Sequence, residues 1–221
     1  DYICINKKRK EYKLSNIDDI PIILNGALKF NIENVMAACA ALVGLDIDYN
    51  HIKNSIESFE LNSKENYGRF NIHDYNGVRI ILDYGHNIEG YKKALTAVKE
   101  ITKGKVIGVI GVPGDRSNDS VKEIGKISSK FIDRIIIKED KDRRGRKLGE
   151  IAQLIKLGID SSNENNNAKI VLDEVEALKE AIKESNVGDS IIVFYEKIKP
   201  LIEVIDKLND NKNNTDIIKS I

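Results

Sequence analysis

The residues best suited to chemistry fall in three short segments. Asp83-Tyr84-Gly85-His86-Asn87 carries a carboxylate able to accept from two vicinal ribose hydroxyls, because an ionised carboxylate offers several lone pairs. His86 has no second histidine or cysteine at metal spacing nearby, which favours a hydrogen-bonded loop histidine over a metal ligand. Asn87 suits a helix N-cap. Gly111-Val112-Pro113-Gly114-Asp115-Arg116-Ser117-Asn118 permits close backbone approach and ends where helix amides can meet an anion. Arg116 adds a charged fork for a carboxylate or phosphate. The same residues also fit a plain turn capped by Asn118, and on the loop alone the two readings stand level. Neither the dinucleotide fingerprint nor a Gly-x-x-x-x-Gly-Lys-Ser/Thr phosphate loop occurs in the chain. Lys138-Glu139-Asp140-Lys141-Asp142-Arg143-Arg144-Gly145-Arg146 packs both signs of charge together. It reads as a solvated loop or as a place where carboxylates hold a cationic amino acid while arginines hold carboxylates.

These segments need a frame to hold them. Residues 2–24 read as a strand, a charged turn and a second strand. Residues 31–44 read as a helix with Val35, Ala38, Cys39 and Leu42 on one face and Gly44 at its end. A second helix, 49–59, takes Asp48 as N-cap and Ile52, Ile56 and Phe59 as its buried stripe. Residues 61–67 are polar and patternless, a linker between two domains. Asn76-Gly77 then joins strands 69–75 and 78–84 as a two-residue hairpin turn. Beyond it, helices at 88–102, 118–132, 148–157, 175–185 and 199–208 alternate with strands at 105–110, 134–138, 169–172 and 190–195, and 209–221 is expected to fray. Continuously apolar strands such as 106–110 and 191–194 belong in a parallel sheet covered on both faces. The fold class is α/β: a doubly wound, mostly parallel, Rossmann-like sheet with an amino-terminal β-hairpin, preceded by a partial α/β segment. In such sheets ligands sit beyond the carboxyl ends of the strands, where loops 83–87, 111–118 and 139–146 all fall.

The 35 basic and 35 acidic side chains cancel. That balance argues against a non-specific nucleic-acid binder, which needs excess cations to displace counterions. Cys4 and Cys39 fit no metal or redox spacing, and Cys39 reads as a small buried hydrophobe. No signal peptide opens the chain and no apolar run nears eighteen residues, so a cytoplasmic protein without a membrane partner is expected. A first residue of Asp rather than Met suggests a piece of a longer protein.

Taken in order, Asn31-x-x-Asn34 at a helix start, Gly68-Arg69, Asp83-Tyr84-Gly85-His86-Asn87 and Gly114-Asp115-Arg116 resemble the back half of the Mur ligase superfamily. Gly-Val-Pro-Gly-Asp-Arg at 111–116, Lys-Glu-Asp-x-Asp-x-Arg-Gly-Arg at 138–146 and Phe-Tyr-Glu-Lys at 194–197 resemble its cyanophycin-making branch. The resemblance runs from about residue 25 to residue 205. It implies that 1–65 is the incomplete end of the central ATPase domain and 66–221 the mobile carboxy-terminal domain. It implies ATP contacts from Asn31, Asn34, Arg69, Asp83 and His86, with Arg69 on the phosphates. Asp115, Arg116, Glu139, Asp140, Asp142, Arg144 and Arg146 would face the incoming amino acid. The implied reaction activates the β-carboxylate of polyaspartate as an acyl phosphate, which the amine of arginine attacks. Magnesium accompanies ATP, with its ligands upstream of this chain; a homo-oligomeric full-length enzyme and an inactive isolated piece are also implied. Two alternatives stay open: a peptidoglycan-precursor or folylpolyglutamate ligase of the same superfamily, and a non-catalytic Rossmann-like binding module.

Overall fold

Along 78–83 every second side chain turns to the same side: Val78, Ile80 and Leu82 pack under helices of one face, while Ile81 serves the other. That period of two, repeated in the neighbouring strands, builds the larger sheet. The computed structural model describes residues 1–62, 64–162 and 167–219, with side chains described to residue 210. The chain divides into two compact units, Asp1–Tyr67 and Gly68–Ile221.

In the first unit, β1 (Tyr2–Lys7) and β2 (Lys10–Asn16) form an antiparallel pair, followed by two short 3-10 turns, α1 (Lys29–Gly44) and α2 (Tyr49–Ser58). Its core gathers Ile3, Ile5, Leu14, Ile20, Ile23, Val35, Cys39, Ile52 and Ile56. Asp48 caps α2 as expected, its Oδ1 accepting from Asn50 N at 2.9 Å and His51 N at 3.4 Å. Several details differ from expectation; the second strand, for one, ends at Asn16, and two 3-10 turns follow where it was expected to continue. Ala38 is exposed, leaving Val35 and Cys39 as the buried stripe of α1 with Leu42 partly buried. Phe59 lies past the end of α2 in extended backbone and is exposed, because the helix stops one residue before it would turn inward. Helix α1 runs through Gly44, and the left-handed residue after it is Asp46.

The second unit holds β3 (Asn71–Tyr75), β4 (Val78–Asp83), α3 (Ile88–Ile101), β5 (Val106–Ile110), α4 (Asn118–Phe131), β6 (Arg134–Ile137), α5 (Glu150–Asp160), β7 (Asn167–Ile170), α6 (Glu174–Glu184), β8 (Ser190–Phe194) and α7 (Ile198–Lys219). The sheet order is β3-β4-β8-β5-β6-β7, with only the β3–β4 pair antiparallel. Asn76 (φ 53°) and Gly77 (φ 74°) both take the positive φ that a two-residue turn of this hand requires. The last strand, β8, enters between β4 and β5, so every residue of it is buried. Each buried Ile, Leu or Val here removes enough apolar surface to contribute about 1.5–3 kcal/mol.

Element types follow the sequence reading, while boundaries shift where capping is not local. Ser117, not Asn118, caps α4: its Oγ accepts from Ser120 N at 3.3 Å, and Asn118 becomes the first helical residue. Helix α5 begins two residues later than expected, after Gly149 in left-handed backbone. Strand β7 sits two residues earlier than expected, at Asn167–Ile170. The backbone stays helical to Lys219, so the expected fraying from residue 209 is not what the described residues adopt. Among the described residues no helix is long and apolar enough to cross a membrane.

Candidate functional site

Because β4, β8, β5 and β6 run parallel, the loops that leave them share one edge of the sheet. Asp83 is the last residue of β4. Its Oδ2 accepts from Phe70 N at 3.0 Å and its Oδ1 from Gly85 N at 2.7 Å, which ties the start of β3 to the 84–87 turn. Burial pushes this carboxyl above its ordinary value, and the two amides, Arg69 and His86 pull it back. An ionised carboxylate has about four acceptor positions; among the described residues two accept from these amides.

Aromatic rings flank this carboxylate. Tyr84 stands 5.2 Å from the His86 ring and 5.6 Å from Tyr195, with the Arg69 guanidinium 5.2 Å above its face. His86 Nδ1 lies 3.1 Å from Tyr84 O, a loop contact of the kind its isolation from other ligands suggested. Tyr195 donates its hydroxyl to Gly68 O at 2.8 Å.

Below the 111–118 loop, the fully buried Tyr91 donates to Gly111 O at 2.6 Å and accepts from Gly111 N at 3.2 Å, while its ring stacks on Phe194 at 3.6 Å. The loop is then clamped from the far side by Arg146. Its Nε donates to Gly114 O at 2.7 Å, its Nη2 to Arg116 O at 2.6 Å, and its Nη1 to Asn118 and Glu150. Arg146 therefore holds loop to loop, with four hydrogen bonds made to the protein. Arg116 is partly exposed, with an Nε that is buried without a hydrogen-bond partner among the described residues.

The 138–146 segment splits into an inner and an outer half. Glu139 turns away from the rim: its carboxylate accepts from Gly149 N (2.7 Å), Ile151 N (3.0 Å) and Ala152 N (3.3 Å). It supplies from a distance the cap that Gly149 cannot supply, and negative charge there suits the helix N-terminus. This placement differs from the expected substrate contact, for the physical reason that three orphan amides outcompete solvent for a buried carboxylate. Glu139→Ala is expected to cost about 1–3 kcal/mol of stability, read by urea denaturation; a loss under a few tenths would count against the capping role. Lys138, 1 % exposed, places its ammonium 2.6 Å from both Asp140 and Glu174. Burial raises the Asp140 carboxyl, and Lys138 lowers it. Room for the lysine stem exists because residue 111 is glycine: a Cβ there would stand 2.7 Å from Lys138 Cε. The outer half stays at the surface, where Arg144 reaches Asp115 at 2.8 Å and Asp142 at 3.3 Å.

Between these loops lies a cleft of about 80 Å³, walled by Tyr84, His86, Gly111, Asp140, Asp142, Arg144, Tyr195 and Glu196. Asp140, Asp142 and Arg144 line the cleft, Asp115 pairs with Arg144, and Asp83 stands at the end of β4 under the 84–87 turn; Glu139 and Arg146 serve the fold. Asn31 and Asn34 belong to the first unit, where Asn31 is buried, donates to Ile22 O at 2.7 Å and accepts from Asn34 Nδ2 at 3.2 Å. Reasoning from sequence passed over Glu174 and Tyr91, whose partners are distant in the chain, and named Lys138 and Glu196 only within the 138–146 and 194–197 motifs. Among the described residues no group of three or more His, Cys, Asp or Glu is arranged to hold a metal.

The family model described as Mur ligase, glutamate ligase domain, matches residues 68–194, more than half of the chain. The chain belongs to the Mur ligase family. It is 35% identical over 93% of its length to a cyanophycin synthetase of Geminocystis herdmanii, in agreement with the motif-level resemblance, and spans 24% of that relative. To the UDP-N-acetylmuramoyl-L-alanyl-D-glutamate–L-lysine ligase of Streptococcus agalactiae it is 30% identical over 90% of its length, spanning 38% of that protein. Among solved structures, E. coli FolC in complex with DHPP and ADP superposes with a TM-score of 0.60 at 21% identity, covering 81% of this chain and 39% of that one. The chain thus spans about a quarter of the length of the cyanophycin synthetase it matches.

Proposed function

We propose that this chain is the carboxy-terminal portion of an ATP-dependent ligase that joins arginine to the β-carboxylates of polyaspartate. The observation that supports this reading most is the composition of the rim. Asp140 and Asp142 offer an anionic wall to a guanidinium, and Arg144 on the same cleft offers a fork to a carboxylate. The 35% identity to a cyanophycin synthetase supports the same reading. ATP supplies the phosphoryl group that activates the acid. Asp83 accepts from ribose hydroxyls, and His86 orders the same turn. Arg69 carries positive charge toward the phosphates as the 68–221 unit closes, excluding water from the activated carboxylate. Asn31 and Asn34 meet the adenine edge, while magnesium and its ligands belong to the part of the ligase outside these residues.

A second reading keeps the family and changes the amine, since the same anionic wall accepts an ammonium and the lysine-adding relative is 30% identical. The two separate in one assay of the full-length ligase. Phosphate release with polyaspartate and arginine is expected to exceed that with lysine or with a muramyl dipeptide acceptor. Equal or greater release with the muramyl substrate would overturn the polyaspartate reading. The 221-residue chain by itself is expected to show no coupling.

A further inference from the structure

The loops that wall the cleft, 138–142 after β6 and 195–197 after β8, leave strands that β5 keeps apart. Strand pairing therefore does not join them. Carboxylates do. Glu196 accepts from Lys141 N at 2.8 Å and Asp142 N at 3.2 Å, a link between residues 55 apart in the chain. In the opposite direction Glu174, the first residue of α6, accepts from Glu196 N at 2.6 Å and Lys197 N at 3.0 Å. The same Glu174 carboxylate is held by the buried Lys138, which also holds Asp140. The contacts close into a ring: Lys138 to Glu174, Glu174 to the 196–197 amides, Glu196 to the 141–142 amides, and back along the chain through Asp140.

We infer that Glu196 is a positioning residue for the amino-acid substrate: its grip on the 141 and 142 amides sets the separation between the Asp142–Arg144 side of the cleft and the Tyr195 side. This rests on the ligase reading above and extends it to a residue that fixes the shape of the pocket. A carboxylate suits the task because two oxygens meet two adjacent N–H donors. A glutamine has one acceptor oxygen and would turn its NH2 group on the second amide. Because Glu196 is only partly buried, its replacement leaves the apolar core intact, and the effect falls on the loop.

Two measurements test this. In the full-length ligase, Glu196→Ala is expected to raise KM for arginine about tenfold and Glu196→Gln about threefold, with KM for ATP and for polyaspartate within about twofold, as charge-assisted hydrogen bonds of this strength imply. In the 221-residue chain, amide exchange at Lys141 and Asp142 is expected to quicken about tenfold in Glu196→Ala while exchange in β5 and β8 is unchanged. Faster exchange with an unmoved KM for arginine overturns positioning, as does a rise of all three KM values together with a lowered Tm, the mark of a merely structural residue. Unchanged exchange overturns the grip itself. A wild-type ligase that couples no arginine strikes at the proposed function instead, because exchange still reads the grip.

Discussion

Replacing Lys138 with methionine is expected to destabilise the 68–221 unit by about 3–5 kcal/mol at neutral pH, the range seen when one partner of a buried ion pair is removed. The lysine is 1 % exposed and stands 2.6 Å from two carboxylates. Methionine matches its length and fills the space above Gly111, so the cost comes from charge and not from a cavity. Asp140 and Glu174 would be left as two like charges out of water with no cation between them. The deficit should depend on pH in a definite direction. Burial already raises the Asp140 carboxyl above its ordinary 3.8, and Lys138 is the first influence that lowers it. Without the lysine the folded-state value climbs further above the unfolded one. A carboxyl raised in this way contributes stability below its unfolded value and loses that contribution as pH rises through the folded value. The variant's deficit should therefore narrow as pH falls toward 4 and widen toward 7. Urea denaturation of both proteins at several pH values reads this directly. A deficit under about 1 kcal/mol, or one independent of pH, would show that the triad is not charged as drawn.

Arg69→Ala in the full-length ligase is expected to lower the turnover of ATP-dependent coupling by about 100- to 1000-fold, the loss found when a single preorganised donor to a developing anion is removed. Arg69 is exposed, follows the left-handed Gly68, and lies over the face of Tyr84 beside Asp83. It is the second residue of the 68–221 unit. Truncation removes the guanidinium without touching the core, so Tm should stay within about 2 °C of wild type, as for surface substitutions. Arg69→Lys should recover only part of the rate, because an ammonium lacks the planar fork. Turnover within twofold of wild type in Arg69→Ala would falsify the assignment.

What could be read from the letters, and what could not, divides by the range over which the physics acts. The apolar runs 106–110 and 191–194, the Asn76-Gly77 turn and the Asp48 cap depend on neighbours within one turn or one strand, and the structure places them accordingly. The order of the 83–87, 111–118 and 138–146 segments sufficed to point to the family. Within Lys138–Arg146, however, the charges look equivalent on paper. Their division was decided by β8 entering the middle of the sheet and α6 bringing Glu174 over β6, which gave Lys138 a buried partner and left Arg144 at the surface. Likewise α5 begins after a glycine with no side chain to cap it, so the remote Glu139 was drawn inward. Local propensity acts along the chain, whereas burial acts between segments that meet only when the sheet has formed; the inward-facing charges belong to the second kind.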